Sequence, residues 1–298
     1  MLQNILQKLY SIEHIPSHPV IRARLQDVLS GFDPHNKEKT DELTRFISYD
    51  PSLMLELLKI ANSDSFGFRN KISSIENAIL IMERDLIELV ISQHPVIPNL
   101  EAYKEDSEFI KLIKHSIEVH SFVQMILERI PKNKLPDDNV RKEILTASIL
   151  HDMGLIFLLI YFPDYYTELI KSIKVSENVQ IKSYSFIPDH SLISSVLCEY
   201  WHLPSNITSS ISFHHYPWTS DESCRLGAEI LYAADTISNT FYELYYGEND
   251  VYTIDEHIVM RRNLLDILER LEIDVIGIAE MRIQSAMTTD DLYSDLGL

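Results

Sequence analysis

The sequence predicts an all-α chain arranged as two lobes followed by a helical extension. Three observations lead there. Only seven glycines and twelve prolines interrupt 298 residues, which leaves room for long helices. Apolar residues recur three and four positions apart in segment after segment, and no stretch reads convincingly as a sheet. A chain of 298 residues is also long for one hydrophobic core, so two bodies are the better expectation.

The first hundred residues read as short helices separated by stop signals. Asp50 suits an N-cap and Pro51 a first turn, and Leu53, Leu57, Leu58 and Ala61 then form one apolar face. Asn62-Ser63-Asp64 closes that helix. Ser73 with Glu76 three residues on forms a capping box ahead of Ile79, Leu80 and Met82, which predicts one longer helix to about Ser92. Pro95 and Pro98 break the chain, and a lobe boundary near Pro98 divides it into 1–98, 99–250 and 251–298.

The second lobe opens with a helix from about Ser107 to Arg129, on which Leu112, His115, Val119, Phe122 and Ile126 share a face. The polar loop PKNKLPDDN follows. Ile144, Ala147 and Ser148 set His151 on their own side of the next helix, and Gly154 is expected in a turn. Helical spacing recurs in His190, Ile193, Leu197 and Trp201, in Ile207, Ile211 and His214, and in Leu231, Asp235 and Tyr242 before a break at Gly247. The tail predicts two more helices, around Ile258 to Leu271 and Val275 to Met287, with Arg261, Arg262, Asp266, Glu269 and Arg270 on a solvated face.

A formal net charge of −19 with no dense basic cluster argues against nucleic acid as a partner. The apolar run from Leu155 to Phe162 is too short to cross a bilayer and is expected as buried core, and the start MLQNILQKLY lacks a basic head followed by an apolar stretch. A cytoplasmic protein without membrane insertion is expected. Cys198 and Cys224 have no Cys-x-x-Cys spacing and are expected reduced.

Seven metal-capable side chains stand out: His115, His151, Asp152, His190, His214, His215 and Asp235. Most fall on apolar helix faces, where an unpaired polar group is costly. Imidazoles mixed with carboxylates suit a first-row transition metal. Their order matches the ligand order of a two-metal site in a helical phosphohydrolase fold. Asp152 can bridge two ions, with His115, His151 and Asp235 on one and His190, His214 and His215 on the other. Each residue also has a plain structural reading. A lone histidine on an apolar face is commonly a core residue bonded to a backbone carbonyl, Asp152 could be a solvated helix end, and Asp235 could pair with a buried imidazole. His214 and His215 can both face inward only at a helix end, as Pro217 suggests, because helix neighbours diverge by about 100°. His14, His18, His35, His120 and His257 show no such order and read as surface or packing residues.

The segment SYDPSLMLELLKIANSDSFGFRNKISSIENAI, from Ser48 to Ile79, resembles the signature of the HDOD family, the HD-related output domain of bacterial signalling proteins. The preceding IPSHPVIRARLQDVL fits that family's opening, and KHSIEV, ASILHDMG, PDHSLISSVLCEYWHLP, ISFHHYP and YAADTIS follow in its order. The resemblance spans Ile15 to Tyr246. It implies a two-lobed helical fold whose second lobe is related to HD and HD-GYP phosphohydrolases, with metal positions on the seven residues above. It also implies a regulatory module that contacts other signalling proteins without catalysis, in control of motility or related behaviour. Iron, manganese or zinc, as one or two ions, would be the cofactor. Two departures from the catalytic relatives stand out. Leu155 occupies the position where the active enzymes carry a Lys after His-Asp-x-Gly, and no Gly-Tyr-Pro follows His215. A metal-dependent phosphodiesterase is the competing expectation.

Overall fold

The computed structural model describes residues 2–33, 36–97, 108–134, 137–175, 190–238 and 263–296. Among these residues there is no strand, and the one extended pairing is a parallel bridge between Ser17 and Val96. The expected boundary at Pro98, the Gly247 break, Tyr242, Arg261 and Arg262 lie outside the described residues.

Among the described residues six helices precede residue 98: α1 (Leu2–Leu9), α2 (Pro19–Ser30), α3 (Lys37–Ser48), α4 (Pro51–Ala61), α5 (Ile75–Ile81) and α6 (Arg84–Gln93). The Asp50 N-cap is present, with the Leu53 amide donating to Asp50 Oδ1 at 3.0 Å. Asn62 ends α4 and ties down the loop after it. Its side-chain amide donates to the carbonyls of Leu58 and Ile72, and its Oδ1 accepts from the Ile72 amide at 2.7 Å.

Two expectations are corrected here. Ser74, not Ser73, caps α5, accepting from the Asn77 amide at 3.2 Å. The single helix to Ser92 is two helices, because Met82 and Glu83 are extended, and Met82 is buried where the chain changes direction.

Among the described residues the remaining α-helices are α7 (Glu108–Arg129), α8 (Asp138–Leu150), α9 (Met153–Tyr161), α10 (Pro163–Val175), α11 (His190–Tyr200), α12 (Ser205–Ser212), α13 (Glu222–Ile237), α14 over residues 263–270, and α15 (Val275–Leu296). Helices α7, α8, α9, α11, α12 and α13 pack on one another, and α15 lies against both α7 and α2. Buried apolar side chains form one continuous core from Ile5 to Leu296. Within it Leu155, Ile156, Phe157 and Leu158 are fully buried, while Leu159 to Phe162 are partly exposed. The stretch Asp138–Tyr161 is long and apolar enough to cross a membrane, but 78% of its apolar window is buried inside the fold.

The tail differs from expectation in two respects. Helix α15 continues past Met287 to Leu296. Arg270 does not belong to a purely solvated face, because its Nη2 donates to Oε1 of the buried Glu229 on α13 at 2.8 Å.

Candidate metal centre

The seven sequence-selected residues converge on one buried cluster. His115 lies in the middle of α7, and Asp235 in the last turn of α13. His151 and Asp152 occupy the two-residue break between α8 and α9. Asp152 takes the N-cap position of α9 without making a side-chain cap, so its carboxylate faces the cluster instead of the helix amides. His190 is the first residue of α11. His214 and His215 follow the end of α12 at Ser212, ahead of Pro217, in the helix-end position that allows both rings to face the same way.

Gly154 is not in a turn, as the sequence suggested. It sits inside the first turn of α9, where a Cβ would lie 2.2 Å from the His190 carbonyl oxygen and 2.9 Å from Ser194 Oγ. Glycine permits the close approach of α9 and α11 that brings His190 to Asp152. Ser194 reinforces it, accepting from the Gly154 amide at 2.7 Å and donating to the His190 carbonyl at 2.9 Å.

Asp152 stands at the centre. Its Oδ2 lies 3.4 Å from His151 Nε2 and 3.5 Å from His115 Nε2, while Oδ1 lies 3.2 Å from His190 Nε2. Asp235 Oδ1 is 3.1 Å from His115 Nε2, and its Oδ2 is 3.9 Å from His215 Nδ1. Ligand atoms fall within 4.8 Å of one another in three sets: His115 with His151 and Asp235, His190 with His214 and His215, and His151 with Asp152 and His214. The first two sets are the same division that the sequence order suggested, with Asp152 between them. Only His215 has appreciable exposure, at 23% of its side chain.

Proton placement in the cluster is constrained. His151 Nδ1 lies 2.8 Å from the Ser148 carbonyl and His214 Nδ1 lies 2.7 Å from the Ile211 carbonyl. A carbonyl can only accept, so both Nδ1 atoms donate, and both Nε2 atoms aim inward, where the neutral form of each ring offers a lone pair. His214 Nε2 is buried without a hydrogen-bond partner. Oδ1 of each aspartate also lacks a hydrogen bond of good geometry, although imidazole nitrogens stand 3.1–3.2 Å away. Inward lone pairs, outward N–H groups anchored on backbone, and two carboxylates with unmet oxygens fit a divalent first-row transition metal.

The electrostatics agree. Burial would raise Asp152, but His151 and His190 outweigh it and hold the carboxyl well below its ordinary range. Burial likewise opposes the lowering of Asp235, which His115 brings about with help from His151 and His215. His151 is raised despite its burial, because Asp152 and Asp235 favour the imidazolium. His214 is driven well down by burial and by the neighbouring imidazoles His215 and His151. The ionised carboxylates therefore favour positive charge beside them.

Three histidines read from sequence as surface or packing residues have defined roles. His18 caps α2. His120 bonds across to α8, with Nδ1 2.7 Å from Ser148 Oγ. His14 joins Glu56 and His94 in a separate metal-capable group. His94 carried no sequence signal, and its partners are spread over eighty positions. Burial, with the neighbouring His14 and Arg22, pushes it down to about 3.

A family model described as HDOD domain matches residues 15–217. The fold is similar to the crystal structure of the MmoQ response regulator from Methylococcus capsulatus str. Bath. That match has a TM-score of 0.65 and 17% identity, and covers 90% of this chain and 98% of that one. A virulence factor from Campylobacter jejuni subsp. jejuni is similar at a TM-score of 0.64 and 19% identity, over 97% of this chain and 100% of that one. At such identities the likeness is one of fold. No curated protein matches the chain. The HDOD signature read in the sequence and the family match over residues 15–217 agree, and the chain belongs to the HDOD domain family.

Proposed function

We propose that this chain is a cytoplasmic bacterial signalling protein that regulates through contacts with other signalling proteins and does not catalyse a reaction. In this reading the His-Asp cluster holds iron, manganese or zinc, as one or two ions, in a structural or sensory role. Its output is a change in how residues 1–98 pack against residues 99–250, with control of motility or a related behaviour downstream. Neither nucleic acid nor a membrane is a partner.

The observation that carries the reading is Leu155, fully buried at the position where a substrate-handling cation would follow His-Asp-x-Gly. A phosphate arriving at the cluster would meet apolar core there, without the charge that stabilises a phosphoryl group in the transition state. Transmission has a physical route. Helix α8 ends at the cluster, and its Thr146 Oγ1 donates to the Ser73 carbonyl at 2.6 Å. Helix α9 starts at the cluster, and Tyr161 at its far end donates to the His14 carbonyl at 2.9 Å. Both contacts reach the first hundred residues, so a change in ligand geometry at residues 151–152 is felt there.

The competing reading is a metal-dependent phosphodiesterase, favoured by the complete ligand set around Asp152. Metal analysis of the full chain purified without chelators, followed by phosphodiester assays with manganese or iron, separates the two. Bound metal without turnover is expected. Turnover that disappears in Asp152→Ala would overturn the non-catalytic reading.

A further inference from the structure

We propose that His14, Glu56 and His94 form a second site for a divalent transition metal, separate from the cluster around Asp152. His14 lies in the connection between α1 and α2, Glu56 on α4, and His94 at the C-terminal cap of α6. One ligand atom from each falls within 4.8 Å of the others, and His14 Nδ1 is already 3.2 Å from Glu56 Oε2. Two imidazoles and a carboxylate are a donor set that zinc, cobalt, nickel or iron accepts, with remaining positions open to water.

Ordinary packing accounts for the His14–Glu56 contact but not for His94. That ring is 3% exposed; the Ile15 backbone stands beside it, but neither nitrogen makes a hydrogen bond of normal geometry. A buried imidazole left in that condition is costly, and a cation beside Glu56 would meet it. The backbone around the ring is fixed in advance. Arg22 donates to the carbonyls of Ser92 and His94, and the His14 carbonyl is held by Tyr161.

Lys59 is the competitor. Its ammonium lies 3.2 and 3.3 Å from the two Glu56 oxygens, 4.7 Å from the centre of the Trp201 ring, and donates to the Glu13 carbonyl. A metal ion would have to displace that amine from the carboxylate. Its side chain is 28% exposed, so it has solvent to move into.

The test uses the full chain, stripped with a chelator and titrated with cobalt, read by the visible absorption of the ion and by the number of ions bound per chain. His14→Ala, at an exposed position, should bind one ion fewer than the wild type and lose part of the visible band, as should Glu56→Gln. Lys59→Met should tighten binding of that same ion. Equal stoichiometry and equal spectra in the wild type and His14→Ala would overturn the proposal, as would a wild type that binds no cobalt. The central cluster is read separately through His215→Ala. Loss of an ion there with none lost in His14→Ala would leave the central centre standing and remove this one.

Discussion

Gly154 and His190 meet so closely that a single added carbon on the glycine would lie 2.2 Å from the histidine carbonyl oxygen. In an exposed helix, glycine to alanine is a stabilising change of about 1 kcal/mol. Here the contact is with backbone, which cannot move aside without separating α9 from α11. Gly154→Ala is therefore expected to cost roughly 1–3 kcal/mol in denaturant unfolding, as overpacked sites do. It should also weaken metal uptake, since His190 would draw back from Asp152. A stability equal to the wild type would mean the helices have slack at this crossing.

Metal loading of the central cluster should depend steeply on acidity. Burial opposes the rise of His151, but Asp152 and Asp235 raise it, so a proton held there competes with an incoming ion. Affinity is expected to fall as pH is lowered, by about tenfold per unit where one proton is exchanged per ion. Calorimetric titration in two buffers of different ionisation heat checks this, because the apparent binding enthalpy must differ between them.

His120 supplies a stability effect independent of metal. Its partial burial between α7 and α8 pushes it down to about 4, and Gln124 donates to its Nε2 while Nδ1 faces the Leu145 carbonyl. The folded pKa lies below the unfolded value of about 6.5, so its contribution is complete above that value and is lost as pH falls towards 4. In His120→Gln the slope of unfolding free energy between pH 6 and 5 should shrink by up to about 1 kcal/mol per unit. An unchanged slope would count against a ring held neutral by the fold.

Asp50 has the opposite sign. Burial raises this capping carboxyl from 3.8 to about 6. The folded state therefore binds the proton more tightly than the unfolded chain, and stability is lost as pH rises from 3.8 through 6. Asparagine caps as well as aspartate without the charge. Asp50→Asn should be more stable than the wild type at pH 7 by up to roughly 3 kcal/mol, and equal to it below pH 4. Thermal unfolding at the two pH values decides it.

Features written in local chemistry were legible in the sequence. Asp50-Pro51 announced α4 because cap and first turn are adjacent residues. His214 and His215 announced a helix end because Pro217 forbids continuation. The order of the seven cluster residues survived because each is fixed to its own helix or helix end. Other features depended on partners distant in the chain. The apolar period runs across Met82 and Glu83 without a gap, and the break shows only in the extended backbone at those two residues. The spacing to Glu76 points to Ser73 as the cap, and the helix begins one residue later, with Ser74 capping it. Gly154 looked like punctuation because nothing nearby says that residues forty positions away will press against it. The grouping of His14 and Glu56 with His94 has no periodic signature at all.

Helix α15 rests on α7 and α2, and Tyr293 donates to the Lys114 carbonyl one residue before His115. The family match closes at residue 217, upstream of both Asp235 and this final helix. A gene fragment trimmed to the matched region would thus produce a polypeptide with six of the seven cluster residues, and with the backbone beside His115 stripped of its outer cover. Expression work on related proteins should keep the C-terminal third in place before any lack of metal is attributed to the domain itself.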